Sequence, residues 1–230
     1  MYRIFPKKIV FLSIAWLVVG VYFTFDALGS LTHFTFRITA IPAFVWLLAN
    51  ALLLNPVWRF LWARYPFLQK HVFPDLNGKW KVELYSNWPR QLQLLEAAQS
   101  RDLVLNMRSC PESELAVLMP VVLEAEISQS WWAFEIKLYN PASDTPIRKS
   151  NTISVDPFPR NGFQDPGICY IYKQENTTDN VLDDIEFYGA ARLEYDFEKG
   201  RLEGLVWTAR MWRRAMNTAS KAVFTRIVDE

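Results

Sequence analysis

The chain has 230 residues, with 51% hydrophobic and 15% aromatic content, ten of them Trp, and a formal net charge of +1. That near-neutral total hides two unlike parts: residues 1–70 hold seven Lys/Arg against Asp26 alone (+6), and residues 71–230 hold 18 against 23 Asp/Glu (−5). A mildly acidic strand-rich part excludes a general nucleic-acid binder, which needs net positive charge to collect backbone phosphates.

The first element is an uncharged run from Ile9 to Phe25, broken only by Ser13, Gly20 and Thr24. A second, Ile38 to Leu54, contains Pro42 and Asn50. Each is near the lower length limit for a membrane span, since about 17 residues rise about 26 Å against a hydrocarbon core of about 30 Å. Flanking residues extend the expected spans to about 9–29 and 38–60, with Trp58, Trp62 and Tyr65 suited to the headgroup level. The short connection Asp26–Arg37 implies an antiparallel hairpin occupying residues 1–70. Arg3, Lys7 and Lys8 precede the first run, Arg59, Arg64 and Lys70 follow the second, and only Arg37 lies between. Both termini are therefore expected on the cytoplasmic side. Reading the first run as a cleaved signal peptide needs Ala27-Leu28-Gly29 as the cleavage site, a poor match, and a longer apolar core than usual.

After Pro66 the pattern changes from runs to alternation. Pro74-Asp75-Leu76-Asn77-Gly78 is a turn cluster, and in Lys79–Ser86 the residues Trp80, Val82 and Leu84 share one face while Lys79, Lys81 and Glu83 share the other. Further strands are expected at Val121–Ser128, Trp131–Tyr139, Lys149–Val155, Gly167–Lys173, Ile185–Tyr195, Arg201–Arg210 and Lys221–Ile227. Turn signals at Asn140-Pro141, Asp156-Pro157, Asp165-Pro166-Gly167 and Lys199-Gly200 separate most of them. An insertion at about 89–119 is set apart by helix formers over Gln91–Ser100. The predicted fold is mainly β with N-terminal membrane helices: a two-helix transmembrane hairpin followed, over 71–230, by an eight-stranded up-and-down, lipocalin-like β-barrel, which removes sheet edges by closure. Gly78-Lys79-Trp80 and Arg226 resemble the Trp–Arg packing that closes one end of lipocalin-like barrels, a structural role.

Catalysis finds little support. His33 and His71 are the only histidines and both lie in or beside the membrane part, so the strands carry no imidazole for Ser-His-Asp or Cys-His chemistry or for His-ligated metals. Cys110 and Cys169 are widely spaced and read as reduced, buried small hydrophobes. Asp183-Asp184 and Glu124/Glu126 are acid pairs of a kind common on solvated faces. The reading is no enzyme, no catalytic residue, no metal and no cofactor.

Taken in order, the two N-terminal runs, Pro74-Asp75-Leu76-Asn77-Gly78-Lys79-Trp80, Ser86-Asn87-Trp88, Ile127-Ser128-Gln129-Ser130-Trp131, Tyr170-Ile171-Tyr172, Tyr188-Gly189-Ala190-Ala191 and Leu202-Glu203-Gly204-Leu205-Val206-Trp207-Thr208-Ala209-Arg210 carry a resemblance. The chain resembles the two-transmembrane, β-barrel effectors of bacterial CBASS anti-phage defence systems. The resemblance implies a barrel that binds a cyclic dinucleotide made by a cognate CD-NTase (a cyclic-oligonucleotide synthase). It further implies homo-oligomerisation in the bacterial inner membrane, membrane disruption and cell death (abortive infection), with no DNA or RNA partner. Two departures stand out: a longer insertion after Trp88, and Tyr188 at a position expected to be more polar.

A cyclic dinucleotide presents two flat bases and two phosphodiesters, so its site needs aromatic faces and cationic or amide donors. The expected ligand-binding residues are Asn87, Trp88, Tyr170, Tyr172, Tyr188, Arg192, Thr208 and Arg210, with Arg210 favoured for phosphate and Arg213 or Arg214 for lipid or subunit contact. Plainer readings compete: Tyr170 and Tyr172 as core, Trp88 as packing, Arg192 as the partner of Glu194 or Glu186, and Arg210, like Arg213 and Arg214, as a contact to anionic lipid headgroups. Two other functions compete: a membrane-anchored lipocalin-like carrier of an apolar ligand, and a constitutive membrane-tethered interaction protein.

Overall fold

The computed structural model describes residues 2–32, 37–101, 105–142, 147–177 and 184–227. The chain divides into two units: one takes residues up to Asp75 together with Ser130–Trp132, and the other takes Leu76–Gln129 and the rest from Ala133.

The helical unit begins with α1 (Lys7–Thr32). It is long and apolar enough to cross a membrane, and its 26 residues rise about 39 Å. Phe11, Leu12, Trp16, Phe23 and Leu31 all stand exposed on it. One stripe is covered: Val21 packs with Ile41 and Val45 of α2 (Ile41–Leu53), backed by Leu17 and Phe25. The Phe25 and Phe44 rings meet edge-to-face at 4.8 Å.

The expected second span over 38–60 is not one helix. α2 stops at Leu53, Leu54 is extended (φ −62°, ψ 136°), and α3 (Asn55–Arg64) leaves at 63°. Pro56 explains the break, because its ring removes a helical donor and crowds the carbonyl four residues back. Pro42 causes no kink, since it lies in the first turn of α2. Asn50 turns its amide back onto the Trp46 carbonyl at 2.7 Å. After α4 (Pro66–His71) the unit closes on aromatics: Trp58 and Trp62 are buried, and Trp62 Nε1–H donates to the Phe73 carbonyl at 2.8 Å.

The second unit is a closed antiparallel barrel of eight strands in sequence order: β1 (Gly78–Ser86), β2 (Pro120–Gln129), β3 (Phe134–Tyr139), β4 (Ile147–Phe158), β5 (Gly167–Asn176), β6 (Glu186–Asp196), β7 (Arg201–Thr208) and β8 (Ala219–Arg226). β8 pairs back onto β1, with Val82 opposite Phe224 and Ser86 opposite Ser220, so no edge is left open. Between β1 and β2 runs α5 (Trp88–Gln99).

Every expected strand is present with its ends shifted by up to three residues, and three of the shifts have a physical reason. β3 starts at Phe134, not Trp131, because Trp131 groups with the helical unit, its ring near Phe5 and Trp62 (5.7 and 6.2 Å). β4 runs through the Asp156-Pro157 turn signal to Phe158, near whose end a proline costs the ladder a single donor. β7 stops at Thr208, before Arg210, where Met211 turns the backbone into the left-handed region.

Inward side chains grade from one end to the other. At the Gly78 end Trp80, Leu76, Leu123, Ile168, Leu193, Leu202 and Phe224 are all fully buried. Trp80 Nε1–H donates to the Leu76 carbonyl (2.9 Å), Gln129 Oε1 accepts the Leu76 N–H (2.6 Å), and Asn77 Oδ1 accepts the Gln129 N–H (2.7 Å). Arg226 lies over the Trp80 ring at 4.7 Å and donates to the Asn77 carbonyl at 2.9 Å. This end is a stopper. Packing thins toward the other end, where Ser86, Thr208, Thr218, Ser220, Gln174 and Asn176 line a mouth.

Candidate functional site at the barrel mouth

At the Ser86 end the strands leave a cavity of about 290 Å³. Its apolar walls are Leu84 and Val121 from β1 and β2, Ile147 from β4, Phe187 from β6 and Val206 from β7. Ser86, Gln174, Asn176, Thr208, Thr218 and Ser220 supply polar atoms, and Tyr172, Trp88 and Arg210 complete it. Below it, Tyr170 and Tyr172 line a small void of about 20 Å³ with Leu138, Ser150 and Thr152.

The polar rim is held by its own hydrogen bonds. Thr208 and Thr218 hydroxyls lie 2.8 Å apart, Gln174 Nε2–H donates to Asn176 Oδ1 at 2.9 Å, and Asn176 Nδ2–H donates to the Asp184 carbonyl at 3.2 Å. Ser86 Oγ accepts the Trp88 N–H (3.2 Å), which fixes the start of α5 at the rim. Arg210 is the charged residue of the lining, and its guanidinium carbon sits 5.0 Å from the Trp88 ring. A stacked guanidinium uses its face against the indole and keeps its N–H donors in the plane.

Gly189 is what lets the Tyr172 ring pack against the backbone of β6. The two are opposite each other in the β5–β6 register, and Gly189 is opposite Thr208 on its other side. A Cβ at Gly189 would stand 2.8 Å from Tyr172 Cε1 and closer to Cζ and the hydroxyl. Tyr170 and Tyr172 are 7% and 5% exposed, with rings 5.8 Å apart. Burial pushes both phenols far above their ordinary range, so both are neutral donors at physiological pH.

Of the eight expected ligand residues, Trp88, Tyr172, Thr208 and Arg210 converge on this cavity. Tyr170 lies one layer deeper. Asn87 works as a strand clip: its N–H donates to the Ala219 carbonyl (2.9 Å) and its Oδ1 accepts the Ala219 N–H (3.1 Å).

Tyr188 and Arg192 do not join them. They share a face, as expected, but it is the outer one: Phe187, Gly189, Ala191 and Leu193 fill the inward row of β6. Tyr188 is 56% exposed, and Arg192 pairs with Glu194 at 2.6 Å and lies over the Phe158 ring. Sequence reasoning missed Gln174, Asn176, Phe187 and Thr218. Gln174 and Asn176 had a readable signal, since they continue the inward parity of Tyr170 and Tyr172.

Of the acid pairs, Glu124 accepts the Tyr139 hydroxyl at 2.8 Å and Asp184 accepts the Met211 N–H at 2.6 Å, while Asp183 lies outside the described residues. No protein-family model matches this chain, and no curated protein does either.

Proposed function

We propose that this chain is a membrane-anchored receptor for a cyclic dinucleotide, acting as a CBASS-type effector. The observation carrying this reading is the convergence of Trp88, Tyr172, Thr208 and Arg210 on one mouth of a barrel whose other end is stoppered. Two aromatic faces serve a base, the guanidinium serves a phosphodiester, and the amides of Gln174 and Asn176 offer base-edge partners. A volume of about 290 Å³ is at the low end for small-molecule sites, so one base with its ribose enters and the other half stands in the mouth. The exposed apolar surface of α1 supports anchoring in the bacterial inner membrane. In this reading the bent α2–α3 pair forms the second crossing, and ligand occupancy drives association of the anchors into homo-oligomers that breach the bilayer. The protein then performs no chemistry.

A carrier of an apolar ligand is the second reading, favoured by the walls Leu84, Val121, Phe187 and Val206. A thermal-shift screen of the full chain in uncharged detergent separates them. A ligand bound only by the folded state raises stability by RT ln(1 + [L]/Kd), or about 2.7 kcal/mol at a hundredfold excess over Kd. A cyclic dinucleotide should raise the melting temperature, and Arg210→Ala should abolish that rise while leaving the ligand-free melt in place. A panel of cyclic dinucleotides without effect, with stabilisation by fatty acids instead, would overturn the receptor reading.

A further inference from the structure

Outside the barrel, a second cavity of about 370 Å³ lies between the outer faces of β5 and β6 and the turn from β7 to β8. Its lining includes Lys173, Tyr188, Trp212, Arg213 and Arg214 with two carboxylates, Asp184 and Glu186. The turn is tightly built. Met211 and Ala215 both adopt positive φ (50° and 56°), a conformation that costs a residue with a Cβ. Hydrogen bonds hold it there: Met211 N–H to Asp184 Oδ2 (2.6 Å), Arg214 N–H to the Met211 carbonyl (2.9 Å) and Ala215 N–H to the Trp212 carbonyl (3.1 Å). Backbone held in an unfavourable region by several bonds marks a place where side-chain direction matters.

The charges are unequally used. Glu186 is paired with Lys173 at 2.7 Å, and Asp184 receives the amide that pins the turn. Arg213 lies over the Trp212 ring at 5.5 Å, and neither Arg213 nor Arg214 has a carboxylate partner among the described residues. Two guanidiniums one residue apart therefore stand beside two aromatic side chains, Tyr188 and Trp212, 56% and 64% exposed. Arginines in this state suit a phosphate, which accepts several N–H bonds at once, and the rings suit a flat group attached to it.

We propose that this outer cavity is a second binding site, independent of the barrel mouth, for a ligand bearing a phosphate group. Arg213 and Arg214 grip the phosphate, and Trp212 and Tyr188 flank whatever it is attached to. A soluble nucleotide and a phospholipid headgroup share this chemistry. The site does not depend on the receptor reading above, since it shares only Phe187 with the mouth lining.

The test uses the full chain in uncharged detergent, with calorimetric titration by ADP, by inorganic pyrophosphate, and by short-chain phosphatidylglycerol against phosphatidylcholine. Binding of ADP or pyrophosphate identifies a soluble source; binding of phosphatidylglycerol alone identifies a headgroup. In either case the R213A/R214A double variant should bind at least tenfold more weakly, with an unchanged melt, while Arg210→Ala keeps wild-type affinity. Trp212→Ala, as a single change, should weaken ADP severalfold more than pyrophosphate if ADP binds. No binding by any probe, or binding that survives the double variant or disappears with Arg210→Ala, overturns the proposal.

Discussion

Replacing Gly189 by alanine sets two effects against each other, and the structure says which wins. The backbone there is compatible with a side chain, so losing a glycine from the unfolded chain alone stabilises by about 0.4–1 kcal/mol. Against this, the new methyl would stand 2.8 Å from Tyr172 Cε1 and nearer still to Cζ and the hydroxyl. Carbon atoms in contact prefer about 3.5–4.0 Å, so the ring has to retreat by on the order of 1 Å. Tyr172 is 5% exposed, and the open side is the mouth cavity it lines. Overpacking of that kind costs about 1–3 kcal/mol, which leaves a net loss of about 0.5–2 kcal/mol. For a domain of this size that lowers the melting temperature by about 1–8 °C. The sharper measurement is a double-mutant cycle with Tyr172→Leu, followed by urea unfolding. In the Tyr172→Leu background the clash is gone and the alanine should be neutral or slightly stabilising, giving a coupling of about 1–3 kcal/mol. An equal cost in both backgrounds would refute the steric argument.

Gln129→Leu removes the acceptor of the fully buried Leu76 amide and should destabilise the barrel by about 1–3 kcal/mol in urea unfolding. Alkaline pH should unfold the chain. The folded state holds Tyr170 and Tyr172 neutral, so above the free phenol value of about 10 the unfolded state binds fewer protons and stability falls as pH rises. Phenolate absorbance should show these two ionising only with unfolding, and Tyr170→Phe should flatten the decline. Pro56→Ala should straighten the α2–α3 bend of 63°. Spin labels at Leu47 and Ala63 would then lie about 24 Å apart along a continuous helix, and an unchanged, shorter distance would show that Pro56 does not cause the break.

The barrel was legible because alternation is a property of the chain itself. Trp80, Val82 and Leu84 against Lys79, Lys81 and Glu83 define a half-buried strand without reference to any neighbour, and eight such segments in succession leave few topologies. What alternation cannot supply is the sign of a face when both rows carry aromatics. In β6 the period puts Tyr188 with Arg192 correctly, but only the apolar row Phe187, Ala191 and Leu193 shows that their side is the outer one. Tyr188 therefore belongs to the outer cavity. The mouth was half legible: Trp88 and Arg210 draw attention as bulky or charged residues at strand ends, whereas Thr218 owes its place to a hydroxyl partner ten residues away. Trp131 looked like strand because it is aromatic and precedes a strand; its partners Phe5 and Trp62 are far off in the sequence. The break at Leu54 was written in Asn55-Pro56, yet hydropathy alone reads straight through a proline.

Because Trp80, Phe224 and Arg226 seal one end of the cylinder, it is a cup and not a conduit. Among the described residues its cavity opens at the end that carries Trp88 and Arg210, so anything that entered would have to leave past the same side chains. Among the described residues, no open path runs along its axis past Trp80 and Phe224.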